Sequence, residues 1–503
     1  MFTMIFQLDA LDQEAWEVIL SIRSMRNKRA PVNRLPYDVL ALIPNFLDGL
    51  GRGKVAITLT HVCRAWRETF ISRPSLWTDF YCSDAEKTRV YLERSKSVPI
   101  NVWLEREQGL LPNDPFLGIP SHAIARLKFL RVKTTPDQLE DITKHLVHPT
   151  PLLKTLTIDA GAAPNHQGPT PVLTSALCGG DLSSLRGLCL HSVCTQLPWR
   201  NMNNLMFLTL AFLPQSTVSL GQVLDFLESA PRLWRVTLTS ATPTLEVQDG
   251  RLVSLSHLRK LQISGPQPPF LLLNHLVIPA GAEVTITSNS RSPQIDDLFP
   301  RSFDNFQNLP NFNRIQFQFA PYETSMRFSG PNGGFCVESR PEPDPTRSIV
   351  NALERFDTLS TQFLVIEDDD TITDEIHEAI WSMTDLCTLH IYRCNDSPSF
   401  LLDPYLALAS DGEVAWPKLE ELTYHVPGVF DVGVLVDYVA ARASRGVPLK
   451  SIKVISARKP VPTEEVAELR EHVSHVEICF EGNEDDYLED TDEDDDEGGW
   501  MDL

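Results

Sequence analysis

The chain has 503 residues, 42% of them hydrophobic, and a formal net charge of −23 at neutral pH. That much apolar material supports a folded body of roughly two to four domains or one long repeat array. The acidic balance argues against a general nucleic-acid binder, which needs Lys and Arg to neutralise phosphates, and against docking on anionic lipid.

The opening residues, MFTMIFQLDALDQEAW, carry no basic stretch, and Asp9 and Asp12 cut the apolar part short. No secretory signal is therefore expected. From about Gln7 to Arg29 the residues Leu8, Leu11, Ala15, Val18, Ile19 and Ile22 recur at helical spacing. Arg23, Arg26, Lys28 and Arg29 cluster where cations suit the C-terminal end of a helix dipole. A nuclear-localisation reading of RSMRNKR is the lesser alternative. Pro31 stops the helix, which sets off an N-terminal segment, 1–30.

The next stretch, residues 31–82, reads PVNRLPYDVLALIPNFLDGLGRGKVAITLTHVCRAWRETFISRPSLWTDFYC. Pro36 stands at a helix start, where its missing N–H costs nothing. Val39, Leu40, Ile43 and Leu47 follow at helical spacing, and Pro44 must kink or end that helix early. After a Gly-rich connection a second helix places Ile57 or Leu59, then Val62, Cys63, Trp66 and Phe70, at steps of three and four. Pro74 closes it, with Leu76 and Trp77 just beyond.

This stretch resembles an F-box. The resemblance rests on Leu35-Pro36, Val62-Cys63-Arg64-Ala65-Trp66-Arg67 and Pro74-Ser75-Leu76-Trp77, and it departs from the family pattern at Pro44 and in the longer connection Asp48–Lys54. It implies that this unit binds a Skp-type adaptor, and through it a cullin. The adaptor-binding residues so implied are Leu35, Pro36, Val39, Leu40, Ile43, Leu59, Val62, Cys63, Trp66, Leu76 and Trp77. Trp66 and Trp77 serve either as partner anchors, for which Trp is favoured, or as intradomain core, and one residue can do both.

Further along, a short pattern recurs: apolar, two residues, apolar, one residue, apolar. It occurs at Leu153-Leu156-Ile158, Leu185-Leu188-Leu190, Leu205-Leu208-Leu210, Leu233-Val236-Leu238 and Leu258-Leu261-Ile263. It returns at Phe312-Ile315-Phe317, Leu386-Leu389-Ile391, Leu419-Leu422-Tyr424, Leu449-Ile452-Val454 and Val473-Val476-Ile478. The last two positions alternate as in a strand with one buried face, and the first turns the chain inward. Helical stretches precede several units: SLGQVLDFLESAP puts Leu220, Val223, Leu224 and Leu227 on one face, and TEEVAELREHV starts at Thr463, a candidate N-cap. Most steps between units, about 20 to 33 residues, lie in or near the leucine-rich-repeat range.

The expected fold class is therefore α/β: a helical F-box followed, over 83–480, by a degenerate leucine-rich-repeat solenoid, a curved parallel sheet with outer helices. In LCTLHIYRC, Cys394 falls on the Asn/Cys position of that repeat. Between residues 322 and 347 the composition turns to Pro, Gly and Ser, GPNGGFCVESRPEPDPTR, and reads as a long loop interrupting the array. Glu481–Glu497 holds about half the net negative charge, so 481–503 is expected to be a disordered tail, either merely solvating or a contact for a basic partner.

No catalytic motif survives inspection. GLGRGK at Gly49–Lys54 has the wrong spacing for a phosphate loop, and Val55 replaces the needed Ser or Thr. HEAIW at His377–Trp381 lacks the second histidine of a zinc-protease helix. Cys387, His390 and Cys394 lack a CxxC pair, as do Cys189 and Cys194, so core or repeat positions explain them better than zinc. No cofactor or metal is expected, and no membrane-spanning segment: the apolar run at Phe270–Ile278 is far too short. Nine scattered cysteines suggest reduced thiols, hence the cytoplasm or the nucleus.

Together the resemblances imply a non-catalytic substrate receptor of a cullin-based ubiquitin ligase, its repeats holding an unidentified protein target. The alternative is a leucine-rich-repeat scaffold that acts without ubiquitin transfer.

Overall fold

The computed structural model describes residues 2–47, 52–105, 116, 118–161, 172–195, 202–211, 219–240, 250–265, 270–288, 298–300, 302–307, 312–320, 323–331, 333–340, 346–356, 358–367, 373–392, 414–426, 433–456 and 461–480. Residues 48–51, Cys394 and the acidic tail thus lie outside the described residues. The chain divides into two units, 1–232 and 233–503, both mixed α/β with mostly parallel strands.

The first unit opens with α1 (Phe2–Arg29), whose last turn holds Arg26, Lys28 and Arg29. Every side chain from Leu11 to Arg29 is exposed. Three short helices follow: α2 (Tyr37–Leu40), α3 (Arg52–Thr60) and α4 (Arg64–Ile71). Pro36 is the N-cap of α2, and Pro44 lies in a separate 3-10 turn, Ile43–Phe46. Lacking an N–H, Pro44 cannot continue the preceding hydrogen-bond ladder, so the first expected helix exists as two fragments.

Six parallel strands form the main sheet of this unit: β1 (Asp79–Tyr81), β2 (Ile100–Glu105), β3 (Leu127–Lys133), β4 (Thr155–Asp159), β5 (Gly187–His191) and β6 (Phe207–Ala211). They pair in chain order. Phe80, Val102, Leu130, Leu156, Leu188 and Leu208 stand in one cross-strand row, all buried. Each such side chain contributes ~1.5–3 kcal/mol relative to exposure. The leading apolar residue of each unit closes a turn. The N–H groups of Leu153, Leu185 and Leu205 donate to the carbonyls of Thr150, Leu182 and Met202 at 3.0, 3.1 and 2.9 Å. Because β1 already pairs with β2, the sheet begins at Asp79, within the segment 31–82 and beyond the helix closed by Pro74.

Between the strands run helices with readable caps. The Asp84 carboxylate accepts from the Lys87 N–H at 2.7 Å, starting Ala85–Ser95. Ser219 and Gln222 form a reciprocal capping box on Leu220–Ser229, and Leu220, Val223, Leu224 and Leu227 are buried as their spacing predicts.

The second unit contains β7 (Arg235–Thr239), β8 (Lys260–Gly265), β9 (Glu283–Ser288), β10 (Arg314–Ala320), β11 (Glu323–Gly330) and β12 (Gly333–Ser339). It continues with β13 (Phe363–Glu367), β14 (Thr388–Tyr392), β15 (Glu421–Val426), β16 (Ser451–Ser456) and β17 (His475–Phe480). β7, β8 and β9 pair in order and parallel, and β13 to β17 do the same. Of the repeat positions expected to be buried, Val476 and Ile478 on the last strand are only half-buried.

The join between these two runs corrects the expected loop at 322–347. Glu323–Gly330 and Gly333–Ser339 are strands, and β10, β11 and β12 form an antiparallel meander. β12 lies parallel to β9 and β10 parallel to β13. The glycines mark close packing here. A Cβ on Gly333 would stand 2.5 Å from the Ala282 carbonyl oxygen. The buried row runs unbroken through the insertion, from Val284 through Phe335, Phe328 and Ile315 to Leu364. Phe356 braces it, with its ring 4.1 Å from Phe328 and 4.5 Å from Phe303.

One smaller difference concerns a helix end. Thr463 is the first residue of Thr463–His472, and Pro462 is its N-cap. Arg442 in Gly433–Ser444 is buried and donates to the carbonyls of Ala415 (2.9 Å), Trp416 (3.0 Å) and Leu419 (3.3 Å), replacing solvent for the turn before β15.

Candidate interaction surfaces

The helices of residues 31–77 close on a small core of Leu40, Val55, Leu59, Trp66 and Phe70, with Ile43, Cys63 and Leu76 packed against it. The Trp66 ring meets Phe70 edge-on at 5.6 Å, and its indole N–H donates to the Asn33 side-chain oxygen. Trp77 is fully buried; its N–H donates to the Phe70 carbonyl at 2.9 Å. Its ring lies 5.4 Å from Tyr91, and the Arg94 guanidinium sits over it at 4.2 Å.

Four of the eleven expected surface residues are therefore interior: Leu40, Leu59, Trp66 and Trp77. The reason is size. A unit this small has few apolar side chains with which to build a core, and these four lie where its elements meet. Ile43, Cys63 and Leu76 are half-buried. Leu35, Pro36, Val39 and Val62 are exposed.

Sequence reasoning missed the most exposed apolar groups. Phe46 is 79% exposed, Tyr37 64% and Leu42 51%, with Val32 and Leu47 also on the surface. The signal was present in LPYDVLALIPNFL, which has apolar residues on every side of a short helix. One face of such a helix enters the core, and the rest is left facing water. The result is a run of large apolar side chains along one short stretch of chain, of the kind that marks an interaction site. Arg73 pairs with Asp38 at 3.2 Å beside it, an exposed contact of little energetic weight.

A second surface lies on the outward face of the first sheet. Tyr81 and Trp103 are direct cross-strand neighbours with rings 5.7 Å apart. Phe129, one strand further and one row across, lies 5.0 Å from Trp103. Tyr81 is exposed, and the other two are half-exposed. The same face then becomes polar, with Arg131 at 4.0 Å from Glu105, then Thr157 and Cys189. Burial pushes the Cys189 thiol up to about 11 and holds His191, 3.0 Å away, below the usual imidazole range. In the second unit the corresponding face carries Phe363, stacked under Arg314 at 4.2 Å and 4.7 Å from His390. Burial, and then Arg314, lowers the pKa of His390.

Neither surface assembles reactive groups. Among the described residues, no cluster of three or more His, Cys, Asp or Glu side chains is arranged to hold a metal ion. The Cys387 thiol bonds the Asp385 carbonyl at 3.3 Å. His377 is buried against Trp381 at 5.6 Å, and Glu378 faces solvent. A shallow groove lined by Lys154, Ser184, Arg186, Asn204, Met206 and Arg232 is cationic, but its only hydroxyl, on Ser184, donates to the Pro151 carbonyl at 2.9 Å. No helix among the described residues is long and apolar enough to cross a membrane.

Comparison with protein-family models finds no match to this chain. A search of curated proteins likewise finds no similar sequence.

Proposed function

We propose that this chain is a non-catalytic substrate-recognition subunit of a cullin-type ubiquitin ligase. Its helical unit is an F-box that binds a Skp-type adaptor. Its strand arrays are a degenerate leucine-rich-repeat solenoid that holds a protein target. The observation that carries the reading is the exposed apolar run Leu35, Val39, Leu42 and Phe46 on a helical unit whose own core is already filled. Such a surface needs a partner. The F-box motif residues bracket it in sequence, and parallel strands pairing largely in chain order support the repeat assignment. Tyr81, Trp103 and Phe129 are the favoured target contacts, because aromatic groups dominate interface energetics. In this reading the ligase chemistry resides in other subunits, and the protein works in the cytoplasm or the nucleus.

The test is co-purification of the full chain with a Skp-type adaptor and a cullin. Recovery of both, with loss of both on Leu42→Asp plus Phe46→Asp, is the expected result. Recovery of adaptor without cullin would favour a scaffold acting without ubiquitin transfer. Recovery of neither would overturn the assignment.

A further inference from the structure

The apolar side chains of helix α1 from Leu11 to Met25 are all exposed. Val18 is 59% exposed and Ile22 55%, and Leu11, Ala15 and Met25 are exposed as well. Trp16, Ile19 and Leu20 are exposed too and lie outside this set, but the first five positions are not scattered. Leu11, Val18 and Met25 recur every seventh residue, and Ala15 and Ile22 fall between them at alternating steps of four and three. That is the seam of a two-stranded coiled coil, a stripe that stays on one side of a slightly underwound helix. The C-terminal end of the helix is anchored, where the Asn33 amide donates to the Asn27 carbonyl at 2.7 Å.

The flanking charges select the occupant. Asp12 and Glu14 border the seam near its start, and Arg26 and Lys28 border it near its end. A parallel copy would set like charges side by side. An antiparallel copy sets Asp12 against Arg26 and Glu14 against Lys28, twice each by symmetry. The same alignment stacks Val18 on Ile22 and Ala15 on Met25 and sets Leu11 against Arg29 at each end, so the four inner apolar layers and the charge pairs come into register together.

We propose that α1 pairs with α1 of a second copy of this chain as an antiparallel two-helix coiled coil over Leu11–Arg29. The paired face is a C2 interface, in which each residue meets its complement on the other copy and the pairing closes on itself. Self-association brings two copies of the strand arrays into one particle, so a target with two binding segments is held by both.

The experiment is sedimentation of the full chain over a concentration series at low salt. The expected result is a monomer–dimer equilibrium that Val18→Glu plus Ile22→Glu weakens at least tenfold. Reversal of the acidic pair, Asp12→Lys plus Glu14→Lys, should also weaken it at least tenfold, and adding Arg26→Glu plus Lys28→Glu should restore it. Ser21 lies beside its own copy only in the antiparallel register, so Ser21→Cys should give an oxidised dimer that the unsubstituted chain does not. Circular dichroism checks that each variant keeps its helix. A monomer at every concentration overturns the proposal, as does charge reversal without effect or without rescue. A monomer that floats with anionic vesicles would instead assign the helix to a lipid surface.

Discussion

The indole N–H of Trp77 donates to the carbonyl oxygen of Phe70, near the end of α4. Carbonyls in a helix's last turn have no partner within the helix, and this one accepts from beyond it, from the Trp77 indole at 2.9 Å and from the Arg73 N–H at 3.4 Å. The same ring carries Tyr91 on one contact and Arg94 on another. Trp77 thus couples the helical unit to the first strand-and-helix pair of the sheet.

Trp77→Phe should lower the stability of the first unit by about 0.5–1.5 kcal/mol, because the Phe70 carbonyl loses the shorter of its two hydrogen bonds and keeps only that from the Arg73 N–H. Trp77→Ala should cost about 3–5 kcal/mol. Denaturant unfolding measures both. If the two variants lose less than about 0.5 kcal/mol, the residue is not the joint described here.

Leu40 and Leu42 should behave oppositely. Leu40 is buried, and Leu40→Ala should destabilise by about 2–5 kcal/mol. Leu42 is half exposed, and Leu42→Ala should change stability by no more than about 0.5 kcal/mol while weakening binding of the proposed adaptor. Paired melting and binding curves separate the two. Equal effects on melting would mean that the exposed run is misassigned.

Gly333→Ala should destabilise the second unit by about 1–3 kcal/mol, since the added methyl meets the Ala282 carbonyl oxygen. A mobile loop at this point would tolerate the change. An unaltered unfolding midpoint would therefore restore the loop reading of 322–347.

His390 gives a pH dependence of definite sign. Its pKa in the folded chain is lowered, first by burial and then by Arg314, although Glu421 opposes the shift. As pH falls through the unfolded value of about 6.5, the unfolded chain takes a proton that the folded chain refuses. Stability is thus complete above that pH and declines below it until the folded pKa is passed. His390→Gln should flatten this part of the stability–pH curve. His191, also lowered by burial, adds a decline of the same sign that survives the substitution.

Much of the strand array was legible because its spacing is local. Leu188 and Leu190, for example, are buried on one strand as the pattern demands. Some units were hidden only by their composition. Trp77-Phe80-Cys82 has the same spacing and the same burial, but it directly follows a helical motif that claims the tryptophan. Thr361-Leu364-Ile366 places a threonine, fully buried, at a position where an apolar residue is sought. Gly333 and Gly334 suggested a loop because composition alone does not separate freedom from close approach. The exposed run was the least legible feature. Which of Leu40, Leu42, Ile43 and Phe46 enters the core depends on how α3 and α4 meet α2, and sequence spacing does not contain that geometry.

The meander of β10, β11 and β12 bears on how the second unit acquires its structure. In a stack whose strands pair in chain order, order can spread outward from any point, each strand templated by its predecessor. At β9 this relay stops: the strand that follows it in sequence, β10, is not its neighbour, and the strand that is, β12, arrives only after β10 and β11 have been made. The meander closes through short connections, which form fast compared with long-range pairing. Once formed, it offers one parallel edge to β9 and the other to β13, so both flanking runs can grow from it at once. It has the placing of a nucleus, and pulse-labelled hydrogen exchange should find its amides protected before those of β7 or β17.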